Sequence, residues 1–275
     1  MRNTRSSCVA EASFVSGDAM TTSVSAGKPV TQHFEVRRVP LRQPLEWLDR
    51  GWTDLKEIRS AGLAHGALIA IVGAVLLMLG STHLYLTAAA VTSYLLVGPV
   101  MTTGLCELAR RREAKEPVGF DESLRGLTRN PDGLVHFGGM LALIAVVWFV
   151  LSAVLLQSVL NASVPSLAVA LWGGAAEMSA GQLLGYVGCG AILAGTVFAV
   201  SVVSVPLIID RHAGASDAIR ASLRATAANL PAMLLWAALI VAITALGFLT
   251  LLVGMVIVAP LLGYATWHAY RDLIG

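Results

Sequence analysis

The stretch AGLAHGALIAIVGAVLLMLG, residues 61–80, decides the fold class of this chain. It carries no formal charge, and about 20 mostly apolar residues are enough for one helix to cross the hydrocarbon core of a bilayer. The whole chain agrees: 56% of its 275 residues are hydrophobic, 13% are charged, and the mean hydropathy is +0.73. Soluble domains carry about 25% charged residues, so lipid is the expected solvent.

Further apolar stretches downstream of residues 61–80 bring the predicted number of spans to six. The run 230–268 has no charge and would extend about 58 Å as one helix at 1.5 Å per residue, so it must turn back, near Gly247 or Gly254. The predicted fold is an all-α polytopic membrane helical bundle. Its predicted spans are residues 61–80, 84–105, 134–156, 183–209, 230–247 and 249–268.

All 19 Lys and Arg residues lie in four stretches outside these spans. Nine precede Ala61, six lie between Cys106 and Gly133, three follow Ile209, and the last is Arg271. With six spans all four stretches fall on one side, which the positive-inside rule makes cytoplasmic. We therefore expect both termini in the cytoplasm.

The segments outside the bundle are a head and one long external link. Residues 1–38 are rich in Ser, Thr, Ala and Gly, which predicts a disordered cytoplasmic head before a membrane domain over 39–275. The link 157–182 is too long for a tight turn. We expect an interfacial or re-entrant segment there, with Trp172 at the lipid–water boundary and Glu177 as the one external charge.

Three pseudo-repeats are predicted, each with an amphipathic cytoplasmic helix followed by a hairpin of two spans. The second span of every hairpin carries a proline near its cytoplasmic end. Short matches precede the spans: SLR at 123–125 and at 222–224, each followed five residues later by asparagine, and an Arg-Gly pair at 50–51 and at 125–126.

The prolines leave two interpretations open. Proline within a helix frees the carbonyl four residues back, so the three sites are either kinks that shape the bundle or discontinuities that converge on a polar cavity. The cavity candidates are Thr92, Ser93, Pro99, Ser201, Ser204, Pro206, Thr244 and Pro260.

The helix before the first span is amphipathic. Leu45, Leu48, Trp52 and Leu55 recur at spacings of three and four. This stripe faces either the acyl chains of the inner leaflet or the ends of the spans. The basic run at 110–112 is interpreted as a stop signal that also meets anionic lipid.

No predicted span contains Asp, Glu, Lys or Arg, which argues against proton pumping and ion-coupled transport. No nucleotide-binding or hydrolase motif occurs, so no catalytic residue is predicted. His65, His136 and His268 lie at cytoplasmic span ends and are the candidates for a haem or metal site. None of them is spaced three or four residues from another histidine, so the leading expectation is that no cofactor and no metal is bound.

Four segments resemble a known family. They are VRRVP at 36–40, PLEWLDRGWTDL at 44–55, Gly98-Pro99 and WHAYRDL at 267–273. They are similar to a bacterial family of integral membrane proteins of unknown function, some members of which carry a cytochrome c oxidase subunit label, and the likeness covers about residues 34–273. The resemblance implies a bacterial inner-membrane protein with several spans. The oxidase label fits poorly, because an oxidase catalytic subunit has more spans and more buried histidines.

The sequence favours a non-enzymatic membrane protein that takes part in transport, membrane organisation or assembly. The alternative is a haem- or metal-binding accessory subunit of a respiratory complex, using the three histidines named above. The expected partners are the bilayer and anionic lipids at the cytoplasmic face, with no nucleic acid. A homo-oligomer and a larger membrane complex both remain open.

Overall fold

The computed structural model describes residues 32–80, 84–160 and 180–275, and these residues are almost entirely helical. Within them, the one β-type contact is an isolated antiparallel bridge between Val36 and Ile274. The all-α prediction is confirmed. The helices are α1 (Gln43–Glu57), α2 (Arg59–Gly80), α3 (Leu84–Glu113), α4 (Phe120–Arg129), α5 (Pro131–Leu160), α6 (Ala180–Ser201), α7 (Ser204–Arg211), α8 (Ala215–Ala228), α9 (Leu230–Leu249) and α10 (Met255–Leu273).

Four segments of the described residues are long and apolar enough to cross a membrane. They are Arg59–Leu76, Pro131–Leu151, Val187–Arg211 and Leu230–Leu249. The buried share of these segments is 33%, 17%, 50% and 22% in chain order, so at least half of each is not buried inside the protein. Apolar surface of this extent requires lipid around it, so the chain is an integral membrane protein.

The three prolines of the predicted even-numbered spans have different effects on their helices. Helix α3 continues through Pro99 and α10 through Pro260. The predicted span 183–209 is instead two helices, because the backbone turns at 202–203, four residues before Pro206. This break includes the carbonyl that Pro206 leaves without a helical donor.

The turn within the run 230–268 covers residues 250–254 and so ends at Gly254, one of the two positions that the sequence suggested. Helix α9 continues to Leu249, past the expected end at 247, and α10 starts at Met255 rather than 249. Leu251 and Leu252 both adopt positive φ, at 51° and 68°. These backbone conformations reverse the chain within five residues.

One end of the bundle is a polar layer, which we define as α1, α4, α7, α8, residues 103–113 of α3 and residues 264–273 of α10. The ends of α3, α7 and α10 meet in its centre. There Trp267 Nε1 donates to Glu113 over 2.9 Å, and the Tyr270 hydroxyl donates to Asp210 over 2.6 Å. Helix α1 packs on α10, α4 on α3, and α8 on α6 and α7.

Helix α1 presents a different face to the protein from the stripe expected from its leucines. Trp47 is fully buried and makes an edge-on ring contact with Trp236 at 5.7 Å between centroids. Leu55 is also buried, whereas Leu45 and Trp52 are exposed. The expected stripe is therefore divided between two environments, because Gly51 and Asp54 occupy the face against α10.

The chain that leads into α1 is held against the C-terminus. The Arg37 amide donates to the Leu273 carbonyl over 2.9 Å, and the Gly275 amide donates to the Glu35 carbonyl over 3.0 Å. Residues 32–38, the last part of the predicted head, are among the described residues and make these contacts. Residues 1–31 lie outside the described residues, and so does 161–179, which holds Trp172 and Glu177.

Two pairs of glycines are spaced four residues apart, Gly62 and Gly66 on α2 and Gly181 and Gly185 on α6, and the helices come close at the first pair. A Cβ added at Gly66 would lie 2.1 Å from the Val256 carbonyl oxygen, so α2 and α10 touch backbone to backbone. By contrast, the described residues place nothing within 4 Å of a Cβ at Gly181 or Gly185. Glycine is therefore required for packing in the first pair.

Candidate functional site

The polar layer contains a carboxylate, Glu107, whose side chain is 0% exposed. Arg110 Nε lies 2.9 Å and Arg111 Nε 2.8 Å from its oxygens, and Arg129 Nε approaches from α4 at 3.8 Å. Glu107 lies two residues past the predicted end of its span and was not among the predicted site residues. The signal was present: arginines three and four residues later share its helix face.

The basic run 110–112 is paired within the protein. Besides Glu107, Arg110 contacts Glu116 at 3.0 Å. The hydrogen bond from Arg110 holds the pKa of Glu116 below its usual range. Arg112 turns instead toward α1. Carboxylates of the same chain therefore pair with all three guanidinium groups of this run.

A second buried carboxylate, Asp54, is 2% exposed and joins two helix ends. Arg112 Nη1 donates to its Oδ1 over 2.5 Å, and His268 Nε2 lies 2.9 Å from its Oδ2. Arg112 Nε also donates to Glu57 over 2.7 Å. These contacts tie α1 to the ends of α3 and α10.

A third carboxylate, Asp272, holds the start of α1 against the end of α10. It accepts hydrogen bonds from Trp47 Nε1 at 2.8 Å and Gln43 Nε2 at 3.0 Å, and it forms an ion pair with Arg50. Burial raises its pKa, but the donors from Arg50, Trp47 and Gln43 together outweigh burial and hold the pKa below its usual range. The ionised form is therefore the one that stabilises this contact.

Two asparagines make corresponding contacts at the ends of α4 and α8. Asn130 Nδ2 donates to the Ile208 carbonyl at 3.2 Å and the Ala213 carbonyl at 3.0 Å, just before α8. Asn229 Nδ2 donates to the Arg37 carbonyl at 2.9 Å, while its Oδ1 accepts from the Val39 amide at 2.8 Å, just before α1. Each asparagine thus ties the end of one layer helix to the segment that precedes the next.

These contacts complete a ring of three joints, which we call the ring joints. Arg112, at the end of α3 and just before α4, donates to Glu57 at the end of α1. The end of α4 holds the segment before α8 through Asn130, and the end of α8 holds the segment before α1 through Asn229. The layer helices therefore form one closed, hydrogen-bonded assembly around the ends of α3, α7 and α10.

The three candidate cofactor histidines have separate partners. His65 is buried, with Nδ1 3.3 Å from the Ala61 carbonyl and Nε2 3.4 Å from the Ser123 hydroxyl. His136 is exposed and bonds to its own helix at Asp132, and His268 pairs with Asp54 as described above. Among the described residues, no group of three or more His, Cys, Asp and Glu side chains could hold a metal ion.

The polar cavity candidates are placed as follows. Ser201 and Ser204 flank the break between α6 and α7, and both are buried. The Ser204 hydroxyl donates to the Val200 carbonyl, whereas the Ser201 hydroxyl has no hydrogen-bond partner. Thr244 is half-buried on α9. Thr92 and Ser93 lie on α3, but their side chains lie outside the described part of the structure, and Pro99, Pro206 and Pro260 were placed above.

A serine of α8 closes the break beside these candidates. The Ser222 hydroxyl donates to the Ala199 carbonyl over 2.7 Å and lies 3.5 Å from the Val203 amide. It thus bonds to backbone groups on both sides of the turn at 202–203. Non-helical backbone inside a membrane protein needs hydrogen-bond partners from the protein itself. Here Ser222 of the polar layer supplies them at the interrupted helix.

Comparison with known proteins supports the membrane assignment. Residues 86–210 match the model of a family described as "Predicted integral membrane protein (DUF2189)". The matched region includes α4 and α5 and most of the ion pairs around Glu107. No curated protein and no solved structure gave a match. The chain is therefore an integral membrane protein whose central part is similar to a family of unknown function.

Proposed function

We propose that this chain is a non-enzymatic, six-span protein of the bacterial inner membrane that organises the lipid around it. The observation that carries the proposal is the division of three layer helices, α1, α4 and α8, into two faces. One face packs on the spans, and the other exposes large apolar side chains. The exposed residues are Leu45 and Trp52 on α1, Leu124 and Leu127 on α4, and Leu223 on α8.

The six-span topology is supported by where helices begin and end. Helix α2 starts beside the polar layer, and α3 starts four residues after α2 ends and finishes within that layer. The pair α9 and α10 repeats this arrangement around the turn at 250–254. If α2 and α9 cross the bilayer, their partners must cross it again to reach the polar layer.

The internal repeat is supported by equivalent positions in the layer helices. A Cβ at Gly51 would lie 2.8 Å from the Ala265 amide of α10, and a Cβ at Gly126 would lie 3.1 Å from the Thr103 carbonyl of α3. The corresponding residue of α8 is Ala225, which is 0% exposed. In α1 and α4 a glycine lets the layer helix touch the second helix of a hairpin, and α8 has a buried small residue at the same position.

The cytoplasmic placement of the layer rests on charge. All but four of the 19 Lys and Arg residues are in segments of this layer or the residues that lead into it, the exceptions being Arg2, Arg5, Lys28 and Arg59. The positive-inside rule then puts the layer at the cytoplasmic face. There the outward Leu and Trp side chains reach the acyl chains of the inner leaflet, and the ring joints keep them at one depth.

The proposal is tested by the lipid that the protein keeps. The full chain is extracted from membranes with a copolymer that retains surrounding lipid, and the lipid composition is measured by mass spectrometry. We expect anionic phospholipid to be enriched over the bulk membrane, and enriched less when Leu124 and Leu127 are both replaced by Ser. A lipid shell identical to the bulk membrane in the unaltered protein would overturn the proposal.

The same preparation tests the cofactor alternative. We expect no haem absorption band and no stoichiometric metal. A haem band that disappears in His65→Ala or His136→Ala would replace the organising role with that of a haem-binding subunit.

A further inference from the structure

The structure contains a groove of about 300 Å³ between the end of α1 and the start of α2. Its lining residues are Trp52, Leu55, Lys56, Arg59, Leu63 and Ile257. The groove combines two cations, Lys56 and Arg59, with an apolar wall. Neither cation takes part in the ring joints or in the buried ion pairs described above.

The two cations of this groove are exposed, and the described part of the chain offers them no acidic partner. Lys56 Nζ lies 5.4 Å from the centroid of the Trp52 ring, which leaves its charge unneutralised. Neither Lys56 nor Arg59 lies within 4.0 Å of a carboxylate of the described residues. Glu57, which lies between them in the sequence, is bound to Arg112. The groove is thus complementary to an anion.

The apolar wall extends from the cations toward the membrane. Arg59 is the first residue of α2 and of the candidate span Arg59–Leu76. Leu63 lies one turn further along this span, and Ile257 is 47% exposed on α10. A ligand that fits both parts has a negative head and a hydrocarbon chain. Trp52 has the amphipathic ring that is common at the lipid–water boundary.

We propose that the groove binds one anionic phospholipid, with its phosphate between Lys56 and Arg59 and its acyl chain against Leu63 and Ile257. This inference rests on the proposed function, because the groove must face the inner leaflet. It also revises the expected lipid contact. The arginines at 110–112 are paired internally, whereas Lys56 and Arg59 are not.

The test uses the full chain in nanodiscs with phosphatidylglycerol in a phosphatidylcholine background. Native mass spectrometry counts the phosphatidylglycerol molecules that stay bound as their fraction in the disc is varied. We expect the tightest bound molecule to lose at least tenfold in affinity in the Lys56→Gln/Arg59→Gln variant. The variant Lys56→Arg/Arg59→Lys keeps both charges, and we expect it to bind within about twofold of the unaltered protein.

A matched control removes the same charge elsewhere. Lys115 and Arg125 are exposed and form no ion pair in the described residues, so Lys115→Gln/Arg125→Gln should change affinity less than twofold. An equal loss of phosphatidylglycerol affinity in this control would show that only the total positive charge matters, and it would contradict a specific site in the groove. The unfolding temperature of each variant is measured alongside, and we expect no change because these side chains are exposed.

Two further arms identify the ligand. Inorganic phosphate at millimolar concentration should not displace the phosphatidylglycerol, and phosphatidylcholine alone should not occupy the site. Displacement by phosphate, or equal binding of phosphatidylcholine, would contradict a phospholipid site of this chemistry. If the unaltered protein retains an anionic lipid shell but the Lys56→Gln/Arg59→Gln variant binds normally, only the groove is wrong. If no shell is retained, the organising role itself is wrong.

Discussion

The polar layer and the outward spans α5 and α9 are stabilised in opposite ways. In the layer, Glu107 and Asp54 are 0% and 2% exposed and are surrounded by arginine and histidine partners. In the candidate span segments of α5 and α9, only 17% and 22% of the residues are buried, and hydrocarbon must solvate the rest. Specific contacts are therefore concentrated in the layer, so changes there should cost most.

The largest expected effect is from Glu107→Ala, which leaves three arginines facing an empty site. Removing one partner of a buried ion pair costs about 3–5 kcal/mol. The free energy of unfolding, measured by denaturant titration in mixed micelles, should fall by that amount. The control is Glu116→Ala, whose side chain is 41% exposed, and it should lose much less because solvent screens an exposed ion pair. Equal losses would contradict a buried centre of the layer.

A smaller loss is expected from Gly66→Ala, which tests a contact within the spans. Its new methyl group would meet the Val256 carbonyl at 2.1 Å, so α2 and α10 must separate. Overpacking of this kind costs roughly 1–3 kcal/mol, and we expect the upper part of that range in the same titration. For Gly139 on α5, the described residues place nothing within 4 Å of an added Cβ, so Gly139→Ala should be nearly neutral. A costly Gly139→Ala would show that α5 packs against protein at this position.

Next in size is Asn229→Ala, which opens one ring joint. It leaves the Arg37 carbonyl and the Val39 amide without partners, and a buried polar group without a partner costs roughly 1–3 kcal/mol. We expect about 2 kcal/mol in the denaturant titration. Thr128→Ala removes only a hydroxyl that bonds within its own exposed helix, and it should change stability by less than about 0.5 kcal/mol. If the two variants behave alike, the joint adds nothing.

The smallest effect concerns acid sensitivity at Asp272. Because its pKa is lower in the folded protein, its contribution is complete above its ordinary pKa and is lost as the pH falls below about 4. The unfolding temperature of the unaltered protein should therefore drop more steeply below pH 4 than that of Asp272→Asn. Parallel pH profiles for the two proteins would contradict a stabilising role for the ionised carboxylate.

The spans were predictable from sequence because uninterrupted apolar length is a direct consequence of the bilayer's thickness. Residues 61–80 illustrate this, since they lie within α2, which begins two residues earlier at Arg59. Residues 230–249 form the whole of α9. The break at 202–203 was harder to predict. Pro99 and Pro260 have the same sequence context as Pro206, yet only the helix at Pro206 is interrupted, and the partner that closes the break, Ser222, is about 20 residues away.

The polar layer was predictable only in part. The asparagines at 130 and 229 were visible as repeated positions, but their long-range partners were not. Trp47 was missed because apolar spacing alone does not show which side of α1 meets α10. The arginines at 110–112 suggested lipid contact because their acidic partners are spread over three segments of the chain, at Asp54, Glu57, Glu107 and Glu116.

The ring joints make α1, α4 and α8 one closed unit, and amide hydrogen exchange can detect whether the three helices open together. Segments that open together exchange together. In the unaltered protein in nanodiscs, the amides of these three helices should be protected to a similar degree. Asn229→Ala should speed exchange in α1 and α4 as well as in α8. Faster exchange confined to α8 and residues 32–42, with α4 unchanged, would contradict the closed ring.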